Sequence, residues 1–169
     1  FHLMVGKSSR FKIFYRRIVK IYNSFNAKKG LFELDFEYSK NENTKFERLF
    51  QQYKKNKKKL ISYRVNGIKI GDLIYDTYLR STFEPTVNLE SKELKKIFFR
   101  AQKIFTEIKN YFEKFDVQAV LPSHACYISY GIITRYALKK NIPVYAIHSG
   151  DKGSVNYKII KLKNNFPYI

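Results

Sequence analysis

The segment of residues 117–147 constrains the fold more than any other, because it has the pattern of a strand, a helix and a second strand. Residues 117–121 and 144–147 are short apolar runs of the kind that buried parallel strands give. Between them, residues 125–140 carry apolar side chains near helical spacing, and Ser123 is a suitable N-cap for that helix. Two parallel strands joined by a helix form a βαβ unit. The sequence therefore predicts an α/β fold with a parallel sheet flanked by helices.

A β-hairpin is predicted ahead of this unit. Asn66 and Gly67 separate two β-prone runs, residues 60–65 and 68–70. Asn-Gly at this position is typical of a type I′ turn, in which both central residues have positive φ. Residues 73–80 then have the pattern of a short helix.

Three other stretches have helical patterns. Apolar residues spaced alternately by three and four predict the longest helix over residues 90–115, buried against a sheet or another helix. Thr44 and Glu47 form a capping-box pattern, which predicts that a helix opens there. Residues 11–25 have the pattern of an amphipathic helix, which we expect either to pack on a sheet or to lie on an anionic membrane surface.

The chain is strongly basic, with 33 Lys and Arg residues against 14 Asp and Glu residues and a formal charge of +19. Such an excess favours anionic partners. Lysine predominates over arginine, however, and abundant Lys, Asn, Ile, Tyr and Phe are also the bias of an AT-rich genome. The lysine run at residues 54–59 lacks interleaved aromatic residues, so a solvated helix end is favoured over a nucleic-acid contact.

The remaining composition narrows the class of protein. The single cysteine, Cys126, excludes an internal disulfide framework and suits a reducing compartment, where we expect a buried, inert thiol. No apolar run is long enough for a transmembrane helix, and three histidines disfavour a zinc site. A length of 169 residues suits one domain, so we expect residues 1–169 to be a single domain. Because the chain begins with Phe1 rather than Met, we expect it to be a fragment of a longer protein.

Candidate site residues lie where the two predicted parallel strands end. Ligands of such sheets bind beyond the carboxyl ends of the strands. Ser123 and His124 follow the first strand, and His148 follows the second. A histidine there can act as a general base or orient a hydroxyl group at neutral pH. The alternative is a structural histidine that is hydrogen-bonded to a neighbouring carbonyl.

A second candidate set lies in the predicted helix at residues 73–80 and just before it. Asp72, Asp76 and Arg80 are spaced four residues apart, so they share one face if the segment is helical. One interpretation is a polar face that lines a cleft. The other is an Asp72 N-cap with an Asp76–Arg80 surface pair, which contributes only a few tenths of a kcal/mol.

Two stretches resemble bacterial surface and capsular polysaccharide biosynthesis proteins, which are glycosyltransferase-like enzymes. Residues 65–80, with the sequence VNGIKIGDLIYDTYLR, are similar to a motif of that group that runs "nGi.iGDLIYDtyLR". Residues 121–145 are similar to a second stretch, a strand ending in Ser-His, a helix opening with Tyr and Gly, and a "gipVy" strand. Together the two stretches cover about a quarter of the chain.

The resemblance implies the amino-terminal, Rossmann-like half of a two-domain GT-B-type glycosyltransferase. That half faces the acceptor, a sugar or a lipid-linked sugar, and the nucleotide-sugar donor is expected only in the full protein; no cofactor is expected in this chain. The resemblance implies that His124 is catalytic. It makes Asp72, Asp76, Arg80 and Tyr127 candidate substrate-binding residues, in addition to Ser123 and His148.

The resemblance also implies a cytoplasmic protein, with peripheral contact to the inner face of the membrane. Two alternatives of another class remain open. One is a non-catalytic basic module that binds nucleic acid, although lysines scattered along every predicted helix disfavour it. The other is a module that binds an anionic membrane through residues 11–25.

Overall fold

The chain divides into two compact units, Phe1–Ser39 and Lys40–Ile169. A computed structural model describes residues 2–3, 28–29, 37–122, 124–149 and 157–163. In the first unit, β1 (His2–Leu3) pairs in parallel with β2 (Lys28–Lys29). The amphipathic helix predicted at residues 11–25 lies outside the described residues.

The described part of the second unit is rich in helix and contains two small antiparallel sheets, so its class is mixed α and β. The elements follow one another in the order α1 (Lys40–Tyr53), α2 (Lys57–Ile61), β3 (Arg64–Val65), β4 (Ile68–Lys69), α3 (Gly71–Thr82), α4 (Lys92–Lys114), α5 (Tyr127–Lys139), β5 (Tyr145–Ser149) and β6 (Tyr157–Lys161). None of the helices among the described residues has both the length and the apolarity needed to cross a membrane.

The predicted βαβ unit is present in reduced form. Its parallel pairing is a single bridge between Val120 and Val144, on either side of α5. The Val120 amide donates to the Pro143 carbonyl, and the Val120 carbonyl accepts from the Tyr145 amide, both at 2.9 Å. Both valines are buried in one cluster with residues of α5.

The sheet continues from this bridge with the opposite strand direction. β5 pairs antiparallel with β6, and the Leu162 amide donates to the Val144 carbonyl at 2.9 Å. The described residues therefore show a small mixed arrangement, and they do not show the multi-stranded parallel sheet of a Rossmann-like fold.

The core is built on the predicted longest helix, α4, which is confirmed. Its apolar stripe is buried as far as Ile108, with the side chains Leu94, Ile97, Phe98, Ala101, Ile104, Phe105 and Ile108. The predicted stripe continued to Phe115, but Tyr111 and Phe112 are only partly buried and Phe115 is exposed. Helix α5 packs on this stripe, and the Tyr136 ring contacts Phe105 and Phe112 edge-on, with centroids 5.6 and 5.1 Å apart. The Tyr63 hydroxyl donates to Gln102 Oε1 at 2.9 Å, which supplies a polar partner inside this apolar contact.

The predicted hairpin is confirmed. β3 and β4 pair antiparallel across Asn66 and Gly67, whose φ angles of 49° and 78° are both in the left-handed region that a type I′ turn requires. The longer strand predicted at residues 60–65 is wrong, because α2 occupies its first two residues. The Asn56 side chain accepts a hydrogen bond from the Lys59 amide at 2.8 Å and caps that helix.

The predicted capping box at Thr44 is also wrong. Helix α1 begins at Lys40, one turn earlier, so Thr44 lies inside the helix. Its hydroxyl donates to the Lys40 carbonyl at 3.0 Å, the back-bond that threonine makes within helices. The apolar face predicted for this helix is confirmed, because Phe46 and Phe50 are buried.

Gly71 allows the closest backbone approach in the described fold. A Cβ atom at this position would lie 1.9 Å from the Leu60 carbonyl oxygen and 2.8 Å from the Ile61 carbonyl oxygen. These neighbours are backbone atoms, so they cannot rotate away as a side chain does. Glycine at the start of α3 is therefore what lets α2 and α3 pack together.

We expect Gly71→Ala to lower the free energy of unfolding by about 3 kcal/mol, because forced overlap in a packed interior costs roughly that much. Urea denaturation of the two proteins measures the difference. Gly67→Ala is the control: its Cβ would meet only the flexible Lys139 Nζ, at 2.6 Å, so the cost is that of the positive φ alone, about 1 kcal/mol. Equal losses for the two variants would contradict this account of Gly71.

Candidate functional site

The two stretches that carry the resemblance meet where α3 packs on the start of α5. The Thr77 hydroxyl donates to the Leu73 carbonyl at 2.6 Å and accepts from the Ile128 amide at 3.0 Å. One helix thus satisfies an amide in the first turn of the other. Gly131 permits the contact, because a Cβ there would lie 2.5 Å from Leu73 Cδ2.

Four side chains form a surface cluster at this junction, and we call Arg80, His124, Tyr127 and Tyr130 the ring cluster. The His124 ring lies edge-on to Tyr130 with centroids 4.4 Å apart, and to Tyr127 with centroids 5.7 Å apart. The Arg80 guanidinium carbon is 5.1 Å from the centroid of the Tyr127 ring, a cation–π distance. Three residues predicted for the site, Arg80, His124 and Tyr127, are therefore brought together.

The arginine and the histidine of the ring cluster are both open to solvent. Arg80 and His124 are exposed, and His124 makes no hydrogen bond to any of the described residues, so the structural alternative of a carbonyl-bonded histidine is not what they show. Arg80 Nη1 is 3.4 Å from the Tyr127 hydroxyl, a long contact that leaves most of the guanidinium donors available. The imidazole can exchange a proton with a bound group, and the guanidinium can bind an anionic one.

Tyr127 holds a strained backbone conformation at the start of α5. Its φ angle is 58°, which costs an L-residue with a bulky side chain on the order of 1–2 kcal/mol. The N-cap is Cys126 rather than the predicted Ser123, and its side chain makes no capping hydrogen bond. Strain of this kind persists where surrounding contacts hold it, here the Thr77–Ile128 hydrogen bond.

The prediction of a buried thiol at Cys126 is wrong, because the residue is exposed. The helical pattern placed it inside α5, whereas α5 begins one residue later. For two predicted site residues the structure does not describe the side chain. Ser123 lies outside the described residues, and His148 belongs to β5 but its side chain is not among those described.

Asp72 has a different role from either of the predicted ones. Helix α3 begins at Gly71 with Ile70 as its N-cap, so Asp72 is not the cap. Its carboxylate oxygens accept from Arg135 Nη1 and Nη2 at 2.7 and 2.8 Å, a bidentate pair. The Arg135 side chain is 7% exposed and that of Asp72 18% exposed, so the pair is largely withdrawn from water.

Arg135 also ties the hairpin to this pair. Its Nη1 donates to the Lys69 carbonyl at 2.6 Å, so one guanidinium joins β4, α3 and α5. No role was predicted for Arg135, although an arginine between Thr134 and Tyr136 on a buried face was a usable signal. A buried arginine requires an acidic partner, and Asp72 was the nearest candidate in the motif.

Asp76 is one turn beyond Asp72 on α3 and is exposed. Although the residue as a whole is exposed, partial burial of its carboxyl group raises the pKa of Asp76. The negative charge of Asp72 raises this pKa further, and the positive charge of Arg135 partly offsets the rise. No ion pair joins Asp76 to Arg80 among the described residues, so the expected surface pair does not form. Arg80 contacts the Tyr127 ring instead.

An open groove of about 650 Å³ lies elsewhere, between α1 and α4, and is lined by Asn43, Thr44, Glu47, Arg48, Lys95 and Phe99. Lys95 Nζ is 2.6 Å from Glu47 Oε2, and this contact and Gln51 lower the pKa of Glu47. The groove contains none of the residues of the ring cluster. Within the described ranges, no group of three or more potential metal ligands occurs.

Comparison with known proteins identifies no relative. No family model matches the chain, no curated protein matches it, and no solved structure matches the fold. The site geometry and the sequence motifs are therefore the basis for any functional assignment.

We expect Asp72→Asn to destabilise the fold by about 3 kcal/mol, because it leaves the buried Arg135 charge without its anionic partner. Asp76→Asn is a matched control on the same helix, one turn away, and removes no ion pair. Thermal or urea unfolding compares the two variants with the parent protein. If the two substitutions had equal effects, Asp72 would not be the structural partner described above.

The raised pKa of Asp76 predicts a pH-dependent stability. The folded state binds the Asp76 proton more tightly than the unfolded state, so this contribution is complete below the ordinary value of 3.8 and is lost as the pH rises through the folded pKa. The Asp76→Asn variant has no carboxyl group at this position to titrate. The stability of the parent protein relative to that variant is therefore expected to fall between about pH 4 and neutral, by less than about 1 kcal/mol for this exposed group. A difference that stays constant or rises over that range would contradict the direction.

Proposed function

We propose that this chain is the acceptor-side domain of a glycosyltransferase that builds a capsular or cell-surface polysaccharide. One observation carries the proposal: the two stretches with the resemblance, residues 65–80 and 121–145, form a single junction. They are joined by the hydrogen bond from Ile128 to Thr77 and by the ion pair of Arg135 with Asp72. Residues far apart in the sequence thus meet at one solvent-exposed cluster that holds a proton-exchanging and an anion-binding group.

In the proposed reaction, an acceptor hydroxyl attacks the anomeric carbon of a nucleotide sugar and displaces the nucleotide. His124 accepts the hydroxyl proton as the new glycosidic bond forms and the bond to the nucleotide phosphate breaks. Arg80 binds an anionic group of the sugar or acceptor, and the Tyr127 ring holds the guanidinium in place. Asp72 acts through Arg135 and positions the helices; its carboxylate is already engaged.

The finer architecture of a GT-B-type half belongs to the same proposal. The parallel bridge of Val120 with Val144, connected through α5, has the connectivity of a βαβ crossover. This connectivity supports a Rossmann-like domain, although a single bridge is the parallel strand pairing that the described part of this unit contains. The nucleotide-sugar donor then binds to a second, carboxyl-terminal half of a longer protein at the cytoplasmic face of the membrane.

His124→Ala in the longest natural form of the protein is expected to lower sugar transfer by a factor of about 10²–10⁴, the range that a general base contributes. Transfer is measured from a panel of labelled nucleotide sugars to the lipid-linked acceptors extracted from the source cells. Cys126→Ser is the matched control, because that side chain is exposed, lies two residues away and makes no capping hydrogen bond.

Circular dichroism and unfolding curves of the two variants separate loss of chemistry from loss of fold. Full turnover by a folded His124→Ala protein would contradict the role given to His124. Absence of transfer from every donor by the parent protein would contradict the transferase proposal itself.

A further inference from the structure

We propose that the lysine run and Phe83 together form a surface that binds an anionic lipid bilayer. We call Lys55, Lys58, Lys59 and Phe83 the basic–aromatic surface. The transferase proposal uses none of these residues, and the inference does not depend on it. It also differs from the membrane contact expected from the amphipathic pattern of residues 11–25, which lie outside the described part of the chain.

The packing of α2 against α3 places the start of the lysine run on the side of the loop that contains Phe83, and Lys58 and Lys59 nearer the start of α3. The end of α2 lies against the start of α3, where the Leu60 carbonyl closely approaches Gly71. The first residue of α2, Lys57, has its Nζ 4.8 Å from the centroid of the Tyr75 ring, one turn further along α3. The two helices are therefore antiparallel, and the chain before α2 continues towards the far end of α3.

The loop at residues 83–91 is fixed beside the lysine run at two points. Lys54 Nζ is 2.5 Å from Glu90 Oε2 in that loop. Lys57 and, in the loop, Thr86 lie near the Tyr75 hydroxyl, and both lower the pKa of Tyr75. Phe83 begins this same loop, about 12 Å beyond Tyr75 along the axis of α3.

Phe83 combines strain with exposure. It follows α3 with a φ angle of 58°, the left-handed position that glycine ordinarily occupies at a helix end, and its amide donates to the Leu79 carbonyl at 2.9 Å. Its side chain is 91% exposed, the most exposed of the large apolar residues described. The backbone is therefore strained at a residue whose ring packs against no part of the folded chain. The ring is an exposed apolar surface that a partner can cover.

The net charge of the lysine run and the adjoining loop is positive, because the exposed lysines outnumber the acidic side chains. Glu90 pairs with Lys54, and Glu84 keeps its negative charge while it accepts from the buried Tyr78 hydroxyl at 2.5 Å. Lys55, Lys58 and Lys59 are exposed, and within the described ranges none of the three forms an ion pair.

A lipid bilayer suits this combination better than a nucleic acid does. Clustered lysines are attracted to the surface potential of anionic lipid, and an exposed aromatic ring enters the boundary between headgroups and acyl chains. Single-stranded nucleic acid requires aromatic faces interleaved with the cations, and the run at residues 54–59 has none. The occupant we assign is therefore an anionic membrane surface.

The absence of tryptophan from the 169-residue chain makes a direct test available. Phe83→Trp introduces a single tryptophan at an exposed position, and its emission can be excited selectively over that of the 14 tyrosines. With vesicles of phosphatidylcholine containing about 30% phosphatidylglycerol its emission is expected to shift to the blue, and with phosphatidylcholine alone it is expected to stay unchanged. Phe115→Trp is the matched control, because Phe115 is, among the described residues, a second exposed phenylalanine at a helix end, 41% exposed and beside Lys114.

Vesicle co-sedimentation tests the lysines and the ring separately. Replacing Lys55, Lys58 and Lys59 by Gln is expected to weaken binding about five-fold for each charge removed, and added salt is expected to weaken binding of the parent protein. Phe83→Asn, which keeps a residue tolerant of positive φ, is expected to lose binding while the protein stays folded.

Three outcomes would overturn the inference. The first is binding of vesicles with no blue shift at position 83, as contact through residues 11–25 alone would give. The second is an equal shift at position 115. The third is binding of a labelled single-stranded oligonucleotide, but not of vesicles, with the same dependence on the three lysines. None of these experiments measures sugar transfer. The membrane inference can therefore fail while the transferase proposal holds, and the transferase proposal can fail while the membrane inference holds.

Discussion

Arg135 places a positive charge inside an otherwise apolar contact between helices, and the position of α5 depends on how that charge is neutralised. The Asp72 carboxylate meets the guanidinium on two atoms, and the Lys69 carbonyl takes a further bond. A pair of this kind adds little net stability compared with apolar residues of the same size, but separating the partners leaves an uncompensated buried charge. Arrangements of the hairpin, α3 and α5 that part these side chains are therefore disfavoured, and the ring cluster forms in the arrangement that keeps them together.

The helices were largely predictable from the sequence because their apolar stripes are long and regular. Helix α4 is an example: its buried face runs from Leu94 to Ile108 with little interruption, and the prediction missed its ends by only one or two residues. The hairpin was predictable for a local reason, the Asn66–Gly67 dipeptide. Helix α2 was not, since its five residues carry no periodicity and its start depends on one Asn56 cap.

The membership of the ring cluster was predictable in part: Arg80, His124 and Tyr127 were expected at the site, whereas Tyr130 and the contacts among these side chains were not. Local spacing placed Asp72, Asp76 and Arg80 on one face of α3, and the structure divides them between different partners. Arg80 contacts Tyr127, which is 47 residues away in the chain, and Asp72 contacts Arg135, which is 63 residues away. Spacing within one helix says nothing about a neighbouring helix, so these pairings depended on tertiary packing. The strand at residues 117–121 was overestimated for a related reason, because an apolar run cannot indicate how many of its residues find a partner.

The positive φ angles of Phe83 and Tyr127 have a consequence for how this sequence changes over time. Each position lies at a helix end where glycine or asparagine relieves backbone strain at once. Mutation together with selection for folding alone would therefore replace both aromatic residues. If both aromatic residues are retained in descendants of this sequence, the rings are under selection for function. If only one is replaced, selection has been lost at that surface alone, the basic–aromatic surface for Phe83 or the ring cluster for Tyr127.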